Sequence, residues 1–162
     1  MASFVDILSK LFGNKSQRDM KAIQPYVDSI LAVYNQIDAL SNDELRERTQ
    51  VLMTQIAESV APLKERQQQL REQVETLEIE QRESVYQEID KLEKDIKEKY
   101  DEILDNILPE VFAIVKSTAR RFAQNEKIEV TATQFDRDLA AAGHDFITID
   151  GDKAIYFNHW QA

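Results

Sequence analysis

The chain reads as mainly α: a helical bundle with a long helical-hairpin or coiled-coil arm and a small C-terminal β-hairpin. Three observations lead there. Only 3 glycines and 3 prolines occur in 162 residues, so turns are few and helices run long. Apolar residues recur at three- and four-residue spacing through most of the chain, the period of one helix face. Near the end, Asp150-Gly151-Asp152-Lys153 separates the short apolar runs 146–149 and 154–157, a hairpin pattern.

The elements follow in order. Phe4, Ile7, Leu8, Leu11 and Phe12 make one apolar stripe on a short helix that Gly13 and Asn14 end. A helix that short is marginal alone in water and needs a surface to dock on. Residues 15–40 form a second helix with Ile23, Val27, Ile30, Leu31, Tyr34 and Ile37 on one face; Pro25 either starts its regular part near Gln24 or kinks it. Ser41 opens a third, because its hydroxyl can cap free N–H groups while Glu44 reaches back. Leu45, Leu52 and Ile56 point inward, and Pro62 interrupts or restarts the helix.

Leu63, Leu70, Val74 and Leu77 form one stripe, and Val85, Ile89, Leu92, Ile96 and Ile103 another, out of phase with it. A stutter in one coiled coil or a bend between antiparallel helices explains the phase change. Ser84 with Gln87 reads as a second capping box, which favours a fresh start there, whereas no Gly or Pro marks a turn, which favours continuity. Asp90–Lys94, Glu93–Lys97 and Asp95–Lys99 stand as i,i+4 pairs. Pro109 suits the first position of a further helix, whose stripe of Leu108, Val111, Phe112, Val115, Ala119 and Phe122 is the strongest in the chain and reads as buried and central. Arg120 and Arg121 suit that helix's C-terminal dipole. Thr133 caps a short helix through Ala142 that Gly143 ends, and the hairpin follows. The stop at Ala162, just after Trp160 and without a polar tail, reads as a boundary set within a longer protein.

Composition excludes several classes. Without cysteine there is neither a disulfide nor a thiolate nucleophile. Residues 1–6 lack the basic start and apolar run of a signal peptide, and no stretch is long and apolar enough to span a bilayer. A net charge of −10 argues against nucleic acid as a partner. Residues 58–108 hold 15 acidic and 8 basic side chains, so most of that charge sits on the arm as a solvated surface.

No catalytic constellation emerges. His144 and His159 stand alone, and Asp150-Gly151-Asp152 lacks the later ligands of a calcium loop, so no metal site is expected. Asp101, Glu102 and Asp105 crowd one turn, where they repel one another or favour the next helix start. Lys15-Ser16 lacks the Gly-x-x-x-x-Gly-Lys-[Ser/Thr] frame that cradles phosphates, so the segment itself is expected to bind no cofactor and hydrolyse no ATP.

Three blocks in order carry a family resemblance. The first is Ile7-Leu8-Ser9-Lys10-Leu11-Phe12-Gly13 with Arg18 following. The second is Leu40-Ser41-Asn42-Asp43-Glu44-Leu45 with Thr49. The third is Leu108-Pro109-Glu110-Val111-Phe112-Ala113-Ile114-Val115 through Ala119-Arg120-Arg121. Together they resemble the N-terminal segment of SecA, the ATPase that drives preproteins through the bacterial Sec channel. Ser16-Gln17-Arg18 replaces the family's Asn-Asp-Arg turn, so only Arg18 carries over there.

Two segments depart from the family pattern and read as insertions, dividing the chain into N-terminal motor-domain helices (1–57), an acidic helical insertion (58–102), a motor-domain core helix (103–124) and a second insertion with a short helix and β-hairpin (125–162). An insertion must leave and return to one place, which favours a hairpin bending near 81–84 over a rod. The resemblance implies a parent that binds ATP and Mg, with an adenine-contacting Gln and a phosphate loop that do not occur here. It implies the Sec channel, preproteins, anionic lipid and a homodimer as partners, and a cytoplasmic protein peripheral on the inner membrane's cytoplasmic face. The opening helix would carry the membrane, channel or dimer contacts through Phe4, Ile7, Leu8, Lys10, Leu11, Phe12, Lys15 and Arg18. A stand-alone coiled-coil adaptor or scaffold is the alternative.

Overall fold

The structure is a computed structural model and describes residues 15–158. Helix α1 (Lys15–Asp38), α2 (Asn42–Thr76) and α3 (Ile79–Gln124) are followed by β1 (Lys127–Thr131), α4 (Gln134–Ala141), β2 (Ile147–Asp150) and β3 (Lys153–Phe157). The mainly α class with a small β element is what the periodicity predicts. The first stripe, Phe4 to Phe12, and its Gly13-Asn14 stop lie outside the described residues.

α2 and α3 form an antiparallel hairpin: Arg48 meets Glu110 near the base, while Arg66 reaches Glu88 and Arg71 reaches Glu93 further out. The out-of-phase stripes close on each other, with Leu70, Val74, Ile89 and Leu92 buried and Leu63 and Val85 packed against them. The bend is at Leu77 and Glu78, not at 81–84 as expected. Leu77 (φ −87°) and Glu78 (φ −63°) are both extended with negative φ, so the turn needs neither Gly nor Pro. Arg82 Nε donates to the Leu77 carbonyl at 2.9 Å and satisfies a free helix end. Ser84 is no cap; its hydroxyl bonds back to the Gln81 carbonyl within α3. The predicted in-helix charge pairs do not close among the described residues. Glu93 faces Arg71 across the seam, and Lys99 reaches Glu102 at 2.7 Å.

All three prolines sit inside helices, contrary to the breaks expected at Pro62 and Pro109 and the start near Pro25. Each removes the hydrogen bond to the carbonyl four residues back, on Lys21, Glu58 and Asp105. All three of those residues are exposed, so water is at hand for the freed carbonyl. As a result α3 runs unbroken through 102–109. Asp101, Glu102 and Asp105 therefore lie mid-helix and precede no helix start.

α1 lies parallel to the C-terminal half of α3. Lys116 Nζ stands 4.2 Å from the Tyr34 ring centroid, and one turn on Ser117 Oγ donates to Asp38 at 2.8 Å. Ile37, Leu45 and Ala113 form one buried cluster here; Leu52, Ile103 and Ile107 form the next towards the arm. The sheet has order β1-β3-β2, all antiparallel. The predicted hairpin is β2–β3, joined by Gly151-Asp152 with φ +60° at Gly151, a two-residue turn of the kind glycine favours. β1 was not anticipated, although Ile128 and Val130 alternate with polar residues and both are buried.

Candidate functional site

Three polar junctions hold the elements together and decide which surfaces stay outside. The first is the α1–α2 corner. Ser41 and Glu44 form the predicted capping box, with Glu44 accepting from the Ser41 N–H at 2.7 Å; that bond holds the Glu44 carboxyl below its ordinary range. Arg121 donates to the Leu40 carbonyl at 2.6 Å, the Asp38 carbonyl at 3.3 Å and Asn42 Oδ1 at 2.6 Å. It thus satisfies the free C-terminal carbonyls of α1. Arg120 grips the Asp38 carboxylate at 2.7 Å. The Ser117 hydroxyl and then Arg120 hold Asp38 below the usual carboxylate pKa. Both arginines serve α1 as well as their own helix end.

The second junction joins the sheet to the start of α2. β1 is an edge strand, and its outward groups are taken by side chains of one helical turn. Asn42 donates to the Glu129 carbonyl at 3.1 Å, Asp43 accepts from the Thr131 N–H and hydroxyl at 2.8 Å each, and Arg46 donates to the Thr131 carbonyl at 3.3 Å. An edge so covered offers no template for another strand.

The third junction is Asp136, whose side chain is fully buried. It accepts from Arg46 at 2.9 and 3.0 Å, from the Thr133 N–H and hydroxyl at 2.7 and 2.8 Å, and from the Tyr156 hydroxyl. Burial alone would raise its pKa, but these donors outweigh it and bring it down to about 2. Burial, and then the bond to Asp136, push Tyr156 up to about 12. Thr133 and Asp136 also make the capping box of α4. One carboxylate therefore ties α2, α4 and β3 together.

Between these junctions lies a cleft of about 250 Å³ lined mainly by Leu45, Thr49, Phe122, Ile128, Val130 and Tyr156, with Arg46 and Arg121. Small-molecule sites usually start near 300 Å³, and both guanidiniums are already engaged. Among the described residues no group of three or more His, Asp or Glu is placed to hold a metal ion. No described helix is long and apolar enough to cross a membrane.

Of the predicted contact residues, Phe4, Ile7, Leu8, Lys10, Leu11 and Phe12 lie outside the described residues. Lys15 and Arg18 are exposed in the first described turns of α1. Beyond them α1 presents Met20, Ile23, Tyr26 and Val27 to solvent; only from Ile30 onward does its apolar face pack. The stripe expected to be buried and central is largely bare. Phe112 is 55% and Val115 60% exposed, while Ile107, Ala113 and Ser117 on another side of α3 are buried. Those small and branched side chains let α1 and α2 approach closely, and the larger stripe was left facing outward. Sequence reasoning also missed Asp136, although Thr133-x-x-Asp136 was a readable capping signal.

The family model for the SecA DEAD-like domain matches residues 8–141, across the corner, the arm and the Asp136 junction. The chain belongs to the SecA DEAD-like domain family. It is 57% identical over 160 residues to the protein translocase subunit SecA of Azobacteroides pseudotrichonymphae, a match covering 99% of this chain. The corresponding subunits of Parabacteroides distasonis and Phocaeicola vulgatus are 55% and 54% identical over 98% of it. The chain spans 14% of the length of each of these relatives. The family match stops at residue 141, whereas the sequence similarity to these relatives continues through the residues of the β2–β3 hairpin. No solved structure matches it significantly.

Proposed function

We propose that this chain is the N-terminal part of an ATP-driven motor that moves preproteins through the Sec channel. The observation that supports it is the family match across residues 8–141, joined to more than half identity with translocase subunits over nearly the whole chain. Within such a motor this segment is scaffold and contact surface. ATP and Mg²⁺ belong to a later part of the polypeptide: the sequence here lacks the Gly-x-x-x-x-Gly-Lys-[Ser/Thr] frame, and the described residues include no group of three or more His, Asp or Glu placed to hold a cation. Residues 1–57 and 103–124 serve as motor-domain helices, and 58–102 and 125–162 as insertions. The opening stripe of Phe4, Ile7, Leu8, Leu11 and Phe12, with Lys10, Lys15 and Arg18, meets anionic lipid, the channel or a second copy. The protein is then cytoplasmic and peripheral on the inner membrane.

Nucleotide binding and ATPase activity, measured on this chain and on one extended through the next several hundred residues, test the reading. Activity confined to the longer protein and stimulated by channel-containing membranes is expected. An inert longer protein would leave a helical adaptor as the better description. Replacing Leu8 and Leu11 with Glu in the full-length protein is expected to weaken liposome binding and translocation together; unchanged values would remove the contact role.

A further inference from the structure

The segment that follows α3 leaves and returns at one point. Asn158 donates its backbone N–H to the Glu126 carbonyl at 3.1 Å, and its side-chain amide donates to the Phe122 and Asn125 carbonyls at 3.2 and 3.0 Å. These bonds satisfy carbonyls at the C-terminal end of α3 and pin the chain there as it leaves β3. Beside that pin lies the cleft of about 250 Å³, walled by Phe122 and Tyr156 and floored by Leu45, Ile128 and Val130. It is smaller than most small-molecule sites and suits one large side chain. Arg46 and Arg121 stand in its lining. Both guanidiniums donate through their edges to oxygens, which keeps their planar faces for an aromatic ring.

We infer that this cleft is the seat of the Trp160 indole, which lies outside the described residues, and that the ring latches the exit of the sheet segment onto α2 and α3. Three observations select that occupant. Extended backbone carries alternate residues to one side, and Tyr156 lines the cleft while the Asn158 side chain reaches α3, so Trp160 is the next in the series and only roughly 7 Å of strand further on. An indole N–H needs an acceptor when it is buried. Thr49 Oγ1, in the cleft lining, gives its own proton to the Leu45 carbonyl at 3.3 Å and keeps lone pairs for one. The aromatic residues of the opening stripe precede the far end of α1, roughly 35 Å from the corner by the helical rise, and do not compete. A ring tethered this closely acts at an effective concentration on the order of millimolar, which a second copy does not reach. The inference is independent of the motor reading.

Fluorescence tests this directly, because Trp160 is the only tryptophan of the 162 residues. In the folded chain its emission is expected to lie to the blue of the urea-unfolded chain, with acrylamide quenching at least about threefold slower and both unchanged on dilution. Thr118→Phe, which fills the cleft from α3, is expected to move the emission back to the red and restore quenching while the circular dichroism holds. Thr49→Phe fills it from α2 and serves if the first variant fails to fold. Emission and quenching like those of the unfolded chain, with the helix signal intact, would overturn the inference. So would a blue shift that survives in every folded cleft-filling variant, which puts the ring elsewhere, or one lost on dilution, which puts it in a second copy.

Discussion

The arm and the C-terminal sheet both project from the same α1–α2–α3 body, yet different forces hold them. The arm is closed by an apolar seam, and its cross-seam ion pairs, Arg66–Glu88 and Arg71–Glu93, are about half exposed. The sheet has its own small core, but it is tied to α2 by the buried Asp136 carboxylate and by side chains that bond a strand edge. An apolar seam is indifferent to pH and needs only shape. A buried charge is satisfied only when every donor is in place, so it specifies one docking geometry and fails sharply when a partner is lost.

Breaking either region at its centre should give the largest effects. Leu70, 1% exposed at the heart of the seam, is expected to cost about 3–4 kcal/mol as Leu70→Ala, through lost burial and the cavity left behind. Urea unfolding with residue-resolved hydrogen exchange should locate the loss in 63–96 and spare the sheet. Asp136→Ala should cost about 3 kcal/mol, at the low end for a broken buried pair because Arg46 is partly solvated. Exchange should then quicken at Ile128, Val130 and Ala154 while the arm stays protected; arm and sheet loosening together would erase the contrast.

Acid sharpens the comparison. The folded-state pKa of Asp136, about 2, lies below its unfolded value near 4, so its contribution is complete above about pH 4 and is lost as pH falls towards 2. That amounts to about 2–3 kcal/mol at the sheet. The arm has no comparable buried carboxylate among the described residues, and its seam should persist over the same range. Exchange rates at Ala154 and Leu70, followed from pH 5 to pH 2, would show it; equal acid sensitivity would count against Asp136 as the anchor.

Smaller effects complete the series. Ser41→Ala should cost about 1 kcal/mol by removing the α2 cap that sets the corner beneath both regions. Arg66→Ala should change stability by less than about 0.5 kcal/mol, because its pair is solvated on both sides. A melting shift as large as that of Leu70→Ala would show that the ion pairs carry the arm after all.

What the sequence determined was whatever depends on neighbours along the chain. The Ser41–Glu44 box, the Thr133 cap, the hairpin turn at Gly151 and the apolar stripes of the arm are set by spacings of two to four residues, and these were visible as such; the Asp136 half of the second cap was equally local but went unread. The prolines misled because a break at Pro62 or Pro109 follows from local rules only when no packing opposes it; the paired helices carry α2 and α3 straight through. The bend at Leu77–Glu78 had no signal, since ordinary residues at negative φ suffice once the two stripes have paired. Only tertiary structure decided which side of α3 is covered here. The stripe with the greatest apolar bulk seemed the natural core, yet helix approach selected Ala113 and Ser117, which let neighbouring backbones come close. It likewise made Asp136 an anchor, because Arg46 and Tyr156, 90 positions before it and 20 after, meet at one carboxylate only when the sheet is docked.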